Sequence, residues 1–455
     1  MIYWILPHQY RWAALLAANV IFYACSARFL LLILILTIIS FFCALLMEKD
    51  TRIKKPVLVV SIVLIVLTLA VFKYANFAID SVSRIAAYFA IPFTPPALKL
   101  LQPLGISFFS FQMIGYLSDV YQGKISACRH FGKYAVFTSF FPTITSGPIE
   151  RAGHFLPQLD TRQEFDYERT VCGATLLLVG LVKKIVIADS LSKYVDGVYD
   201  HLHDAQGCSI LIATLLFALQ IYCDFSGYSD MAVGLGKLLG FDLIQNFKQP
   251  YFATSIRGFW ASWHISLSTW LKDYIYIPLG GNRKGKFRRN VNLIVTFLIS
   301  GLWHGANWTF VLWGFIHGMA QVIENTVREA GGKKDHAKGG FLRWLITTAV
   351  VCIAWLFFRA NSISDAWYAL THLITGGISM TMSSLGLTLR ALLKVLLMAA
   401  GLFLYDFYSR KSDPVLFLRK QKMPVRWGIY IVCAAVVIIL KIHNGADASF
   451  IYFQF

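Results

Sequence analysis

Apolar runs of membrane-crossing length follow one another along this chain with only short polar links between them, and that succession leaves few folds open. Clear runs lie near 12–27, 29–47, 56–73, 172–188, 209–223, 341–358, 386–405 and 426–441. Less clean ones lie near 84–92, 102–119, 133–146, 231–244 and 291–323. As a helix, about 20 mainly apolar residues cross a hydrocarbon core of roughly 30 Å. The runs are continuous and do not alternate, which argues against a β-barrel. Hydrophobic residues make up 57% of the 455 and charged ones only 15%, against about 25% charged in ordinary globular chains. The sequence therefore predicts an all-α, polytopic membrane protein of roughly ten to twelve membrane helices, some of them short or re-entrant. It reads as one membrane domain over 1–455.

The net charge of +18 reads as membrane topology, not as nucleic-acid binding. Basic residues gather between apolar runs: Arg52, Lys54 and Lys55; Arg283, Lys284, Lys286, Arg288 and Arg289; Lys333, Lys334 and Lys338; Arg410, Lys411, Arg419, Lys420, Lys422 and Arg426. The positive-inside rule places these loops in the cytoplasm and the C-terminus outside. They also suit anionic lipid headgroups or an anionic cytosolic donor. "ACSA" at Ala24–Ala27 loosely resembles a leader cleavage site, but another apolar run follows at once, so an uncleaved first span is expected. The eight cysteines are scattered without CxxC spacing and read as small hydrophobes, with no metal site implied.

One segment constrains chemistry as well as topology. Val291 to Ile323 is apolar for 33 residues, about 50 Å as a single helix and far longer than the membrane is thick. Basic clusters flank it on both sides, so the chain is expected to bend near "GLWHGANW" and return to the cytoplasm. His304 would then lie deep in the membrane domain, where an ionisable group is a functional-site hypothesis by default. "NWT" at Asn307 is formally a glycosylation acceptor, which burial would make irrelevant.

A second histidine lies in "RGFWASWHISLSTWLKDYIYIPLGGNRKG". Trp260, Trp263, Leu267 and Trp270 recur at spacings of three, four and three, which predicts one helical stripe. His264, Ser268 and Leu271 fall on an adjacent strip of that helix. Either a tryptophan belt at the membrane interface with an incidental histidine or a functional histidine accounts for this pattern. In "QIYCDFSGYSDMAVG", Asp224, Ser226 and Asp230 either line a cavity mouth or cap and connect helices. In "SGPIERAGHF", Glu150 and Arg151 beside the turn at Pro148 suggest an internal ion pair. Lys183 and Lys184 of "GLVKKIVIAD" are expected to snorkel or to pair with a carboxylate such as Asp189. His201 and His203 sit in a polar loop, which favours solvent over metal. Walker A, HExxH and GxSxG signatures are absent.

"WHISLSTWLKDYIYIPLGGNRKG" followed by "GLWHGANWTFVLWGFIHG" strongly resembles the membrane-bound O-acyltransferase family. The nearer branch is the bacterial one that contains the membrane subunit of alginate O-acetylation. The likeness continues in "PLGISFFSFQMIGYLSDVYQG", "FPTITSGPIER", "GLVKKIVIAD", "DFSGYSDMAVG" and "WLFFRANSISDAW", and covers about residues 70 to 370.

The resemblance implies a helical membrane domain around a central funnel or tunnel, with 71–370 as its catalytic core between peripheral N-terminal helices over 1–70 and C-terminal helices over 371–455. The family's histidine matches His304, implied as general base, and a second polar position matches His264. Trp303, Asn307, Ser268, Asp224, Ser226, Asp230, Glu150 and Arg151 become candidates for substrate binding or tunnel lining. An imidazole with an ordinary pKa near 6.5 suits removal of a hydroxyl proton. The resemblance further implies acetyl-CoA as a cytoplasmic donor substrate, with no bound cofactor and no metal. The acetyl group would cross the bacterial inner membrane to a separate extracytoplasmic SGNH-hydrolase-like acetyltransferase, working with polysaccharide synthesis and export machinery. Two other readings stay open: D-alanyl transfer toward teichoic acid by the same fold, and a non-catalytic transporter or scaffold subunit.

Overall fold

The computed structural model describes the chain except residues 1, 25–28, 94, 96–97, 99, 206, 332–339, 376–387, 445–450 and 452–455. The basic cluster Lys333, Lys334 and Lys338 and most of the "ACSA" stretch thus lie outside the described residues. Among the described residues no strand occurs, and seven helices are long and apolar enough to cross a membrane. The protein is all-α and polytopic. Shorter helices lie between those seven.

Contacts divide the chain into two compact units, Met1–Thr170 with Leu235–Ile244, and Val171–Gly234 with Gln245–Phe455. The first unit carries helices α1 (Ile2–Ile5), α2 (His8–Ala24), α3 (Leu30–Lys49), α4 (Lys54–Tyr88), α5 (Ile106–Tyr121), α6 (Phe131–Ser139) and α7 (Ala152–Asp160). Every residue of α5 from Ile106 to Val120 is buried, the polar Gln112 and Asp119 among them. Its neighbours are tied by buried side chains: Tyr134 Oη donates to Ser40 Oγ at 2.7 Å, and Thr37 and Thr138 hydroxyls meet at 3.0 Å. Pairing polar groups in this way satisfies them where lipid cannot.

The second unit takes up α8 (Tyr167–Leu181) from Val171 onward, which runs through a π-helical turn, Val182–Ala188, into α9 (Asp189–Tyr199). It continues with α10 (Cys208–Leu239), of which the part up to Gly234 belongs here, then α11 (Ile256–Trp260), α12 (Ile265–Leu271), α13 (Gly285–His304) and α14 (Trp308–Ala330). After these come α15 (Phe341–Arg359), α16 (Ile363–Thr375), α17 (Leu389–Ser409), α18 (Pro414–Arg419) and α19 (Met423–Asn444). The apolar window of α10 is 72% buried and that of α19 only 6%. Helix α10 is therefore a core element, and α19 turns its apolar side chains outward.

Glycines set how closely α8 and α10 approach. A Cβ on Gly180 would sit 2.5 Å from the Gly227 carbonyl oxygen, and one on Gly234 would sit 2.7 Å from that of Gly173. Gly173 and Gly180 are seven residues apart, as are Gly227 and Gly234, so the pairs stack along one antiparallel seam. Small residues let membrane helices pack backbone to backbone in this manner.

The tryptophan-rich segment departs from the expected single helix. Helix α11 stops at Trp260, and α12 starts only at Ile265. Between them His264 adopts φ +44°, ψ 54°, a left-handed conformation that an L-residue with a bulky side chain rarely holds. Hydrogen bonds from outside the segment win over its helical periodicity. Lys248 N–H donates to Ser262 O at 2.9 Å, and Ile265 N–H donates to Asn246 O at 3.0 Å. Trp260, Trp263, Leu267 and Trp270 are all buried, so they pack in the interior and do not form a belt at the lipid boundary.

Candidate active site

The long apolar segment does bend where length demanded. Helix α13 ends at His304, Gly305 to Asn307 turn the chain, and α14 runs back against it. The hairpin is antiparallel: a Cβ on Gly314 would touch the Phe297 carbonyl oxygen, and one on Gly301 that of Phe310. At the far ends Arg289 and Lys286 both pair with Glu329. Asn307 caps the return helix, its side chain accepting from Thr309 N–H at 3.1 Å and donating to Asn361 O at 2.9 Å. The cap explains why a polar residue follows the histidine so closely.

His304 is 4% exposed at the closed end of this hairpin. Its ring lies edge-to-face with Trp303 at 5.0 Å, Trp313 at 4.9 Å and Phe358 at 5.4 Å. His264, fully buried, comes to 6.4 Å from it between ring centroids. Trp303 stands 5.8 Å from the His264 ring, and Phe225 stands perpendicular to that ring at 4.6 Å. The left-handed backbone at His264 thus coincides with its burial beside His304. Strain of this kind costs about 1–3 kcal/mol and persists only where surrounding structure enforces it.

Several buried polar atoms of this unit are left unmatched. Among the described residues, neither ring nitrogen of His264 has a hydrogen-bond partner, nor do Ser226 Oγ, Ser300 Oγ, Thr309 Oγ1 or Asn246 Nδ2. Ser300 lies one turn before His304 on the same face of α13, and Ser226 follows Phe225. Buried polar groups are almost always hydrogen-bonded. Such groups can take a hydrogen bond from water or from a bound molecule.

A third histidine enters the group that the sequence reading passed over. His317 is fully buried, and its Nδ1 accepts from Trp260 Nε1 at 3.2 Å. The neutral ring therefore carries its proton on Nε2. Trp313 lies between the histidines, 4.9 Å from His304 and 5.0 Å from His317. The signal was present in the spacing, since Trp313 and His317 are four apart and share a face of α14.

The remaining sequence candidates divide between the two units. In the second, Asp230 pairs with Lys183 at 2.7 Å. Lys184 bridges Asp189 at 2.8 Å and Asp224 at 2.5 Å, so the expected pairing with Asp189 is found. Asp224 also accepts from the N–H of Ile451 at 2.9 Å, which places that near-terminal residue in the buried core. Ser268, partly buried, donates to Trp263 O at 3.3 Å. In the first unit Glu150, 1% exposed, accepts from Ile244 N–H at 2.7 Å and pairs with His154 at 3.0 Å. Arg151 opens α7 as its capping residue.

The lysine pair yields a stability prediction. Lys184→Met leaves two aspartates without their shared cation, and breaking a buried pair from one side costs on the order of 3 kcal/mol. Thermal unfolding in detergent should fall accordingly, whereas Lys184→Arg should recover most of the loss. Equal midpoints for the methionine variant and the unaltered protein would contradict the pairing.

Comparison with known proteins fits this geometry. Residues 129–364 match the model described as "MBOAT, membrane-bound O-acyltransferase family". A Pseudomonas putida protein named "Probable alginate O-acetylase AlgI" is 36% identical over 475 aligned residues, 100% of this chain and 96% of the relative. Its Pseudomonas aeruginosa namesake is 40% identical over 371 residues, 80% of this chain and 70% of the relative. The "Peptidoglycan O-acetyltransferase" of Helicobacter pylori is 35% identical over 390 residues, 79% of this chain and 73% of the relative. The chain is a multi-pass membrane acyltransferase, and it belongs to the membrane-bound O-acyltransferase family.

Proposed function

We propose that this protein takes an acetyl group from acetyl-CoA at the cytoplasmic face of the bacterial inner membrane and delivers it outward for O-acetylation of an extracytoplasmic polysaccharide. The observation that carries the reading is the meeting of His304 and His264 inside one buried aromatic box. Relatives named for alginate and peptidoglycan acetylation support a polysaccharide hydroxyl as the final acceptor.

His304 acts as general base. It takes the proton of an acceptor hydroxyl as that oxygen bonds to the thioester carbonyl carbon. The carbonyl π pair moves onto oxygen and returns as the C–S bond breaks, and the proton passes to the departing thiolate. CoA thiol and an acetate ester result, with no net proton change. His264, adjacent and held by its strained turn, positions the donor or the acceptor. Such a base contributes about 10²–10⁴-fold. A tunnel through the domain lets donor and acceptor meet from opposite faces without either crossing whole. A separate extracytoplasmic SGNH-hydrolase-like acetyltransferase, working with the polysaccharide synthesis and export machinery, completes transfer to the polymer.

Sidedness tests the reading. Radiolabelled acetyl-CoA does not cross membranes, so inverted vesicles should pass label to lumenal acceptor while right-side-out vesicles should not. Label transfer only from the extracytoplasmic side would refute it. So would transfer of D-alanine from a charged carrier protein with no acetyl transfer.

A further inference from the structure

Asn246 holds the turn at His264 from a distant loop. Its carbonyl oxygen accepts from Ile265 N–H at 3.0 Å, and its side-chain Oδ1 accepts from Ser266 N–H at 3.1 Å. Both donors belong to the first turn of α12, whose N–H groups have no partner within the helix. Asn246 therefore caps α12 in place of His264, whose own side chain makes no cap hydrogen bond, and the imidazole is left for other work.

That clamp needs only an acceptor, and the amide carries a donor besides. With Oδ1 fixed on Ser266, the position of Nδ2 is fixed too. Asn246 is 1% exposed, and Nδ2 has no hydrogen-bond partner among the described residues. Leaving a buried donor unpaired costs about as much as a hydrogen bond gains, or more. Asn246 also adjoins the site through its bond to Ile265, the residue after His264. The adjoining Phe247 ring lies 5.0 Å from Phe225, which in turn lies 4.6 Å from His264.

We propose that Asn246 Nδ2 donates a hydrogen bond to the carbonyl oxygen of the acyl group in transfer, beside His264. Negative charge gathers on that oxygen as the acceptor hydroxyl attacks, so a fixed N–H binds the transition state better than the thioester. The inference rests on the acetyl-CoA reading above.

Two unreactive CoA thioethers isolate the contact in the full-length protein in nanodiscs. One carries an acetonyl ketone, and the other a methallyl group in which CH2 replaces the ketone oxygen. The unaltered protein should bind the ketone roughly tenfold more tightly, the factor a single hydrogen bond gives. Asn246→Asp keeps an acceptor for Ser266 but loses the N–H. It should bind the two analogues equally, with turnover down about 100-fold. Added negative charge repels both analogues alike, so their ratio is the readout. Should the aspartate variant fail to fold, solid-state NMR of the unaltered protein replaces it. Side-chain 15N-asparagine label should then couple to the 13C carbonyl of bound ketone at about 4 Å, and no coupling overturns the proposal. An aspartate variant that keeps the tenfold preference overturns it, as does an unaltered protein that shows none. An unaltered protein that binds neither analogue overturns the acetyl-CoA reading, and this inference with it.

Discussion

His304→Gln is expected to abolish acetyl transfer, by about 10³-fold or more, while the protein still folds and inserts. Glutamine nearly fills the imidazole's volume and offers both a donor and an acceptor, so the box of Trp303, Trp313 and Phe358 stays packed. What it lacks is a basic nitrogen to take the hydroxyl proton. General-base contributions of about 10²–10⁴-fold set the size of the loss. His264→Gln should cost less, about 10- to 100-fold, because a positioning role survives partly in an amide. Polymer-bound acetate in cells and label transfer in vesicles measure both effects, and a thermal unfolding midpoint controls for folding. Full acetylation by His304→Gln would remove the base assignment. It would move the protein toward a transporter or scaffold role, in which neither histidine matters to chemistry.

What could be read in advance followed from local and length rules. The bend at Gly305 to Asn307 was forced by the arithmetic of 33 apolar residues, and the pairing of Lys184 with Asp189 followed from the cost of a lone cation in an apolar interior. The break between Trp260 and Ile265 was hidden, because periodicity there favours one helix. The hydrogen bonds that override it come from Asn246 and Lys248, about 15 to 20 residues earlier in the chain. His317 was visible as a residue and invisible as a neighbour. Its partner Trp260 lies on another helix, and no rule of spacing joins them. Asp224 and Asp230 were legible as carboxylates that either line a cavity mouth or connect helices, but not as the partners of the lysines on the π-helical turn. A sequence announces a buried charge but not which opposite charge meets it.

The helical hairpin that carries His304 has so little room between its arms that one methyl group should disable it. A Cβ on Gly314 would stand 2.2 Å from the Phe297 carbonyl oxygen, nearer than non-bonded carbon and oxygen approach. The obstacle is backbone, which cannot rotate aside as a side chain can. Gly314→Ala must therefore push α13 and α14 apart by about 1 Å, at a cost of about 1–3 kcal/mol. His304 is one turn from Gly301 on one arm, and Trp313 adjoins Gly314 on the other, so the separation falls on the contact between their rings. Misplacing a catalytic group by about 1 Å costs about 100-fold in rate, and that is the expected loss for Gly314→Ala and Gly301→Ala. A gradient along the hairpin makes the prediction specific. At Gly318 a Cβ would come 3.2 Å from the Ile294 Cα, and at Gly331 its nearest neighbour would be 3.4 Å away. Alanine at 318 should cost a few-fold and at 331 almost nothing. Acetyl transfer by purified, folded variants should fall in the order 331, 318, 314. Full activity at 314 would mean that the spacing of the two arms does not govern His304.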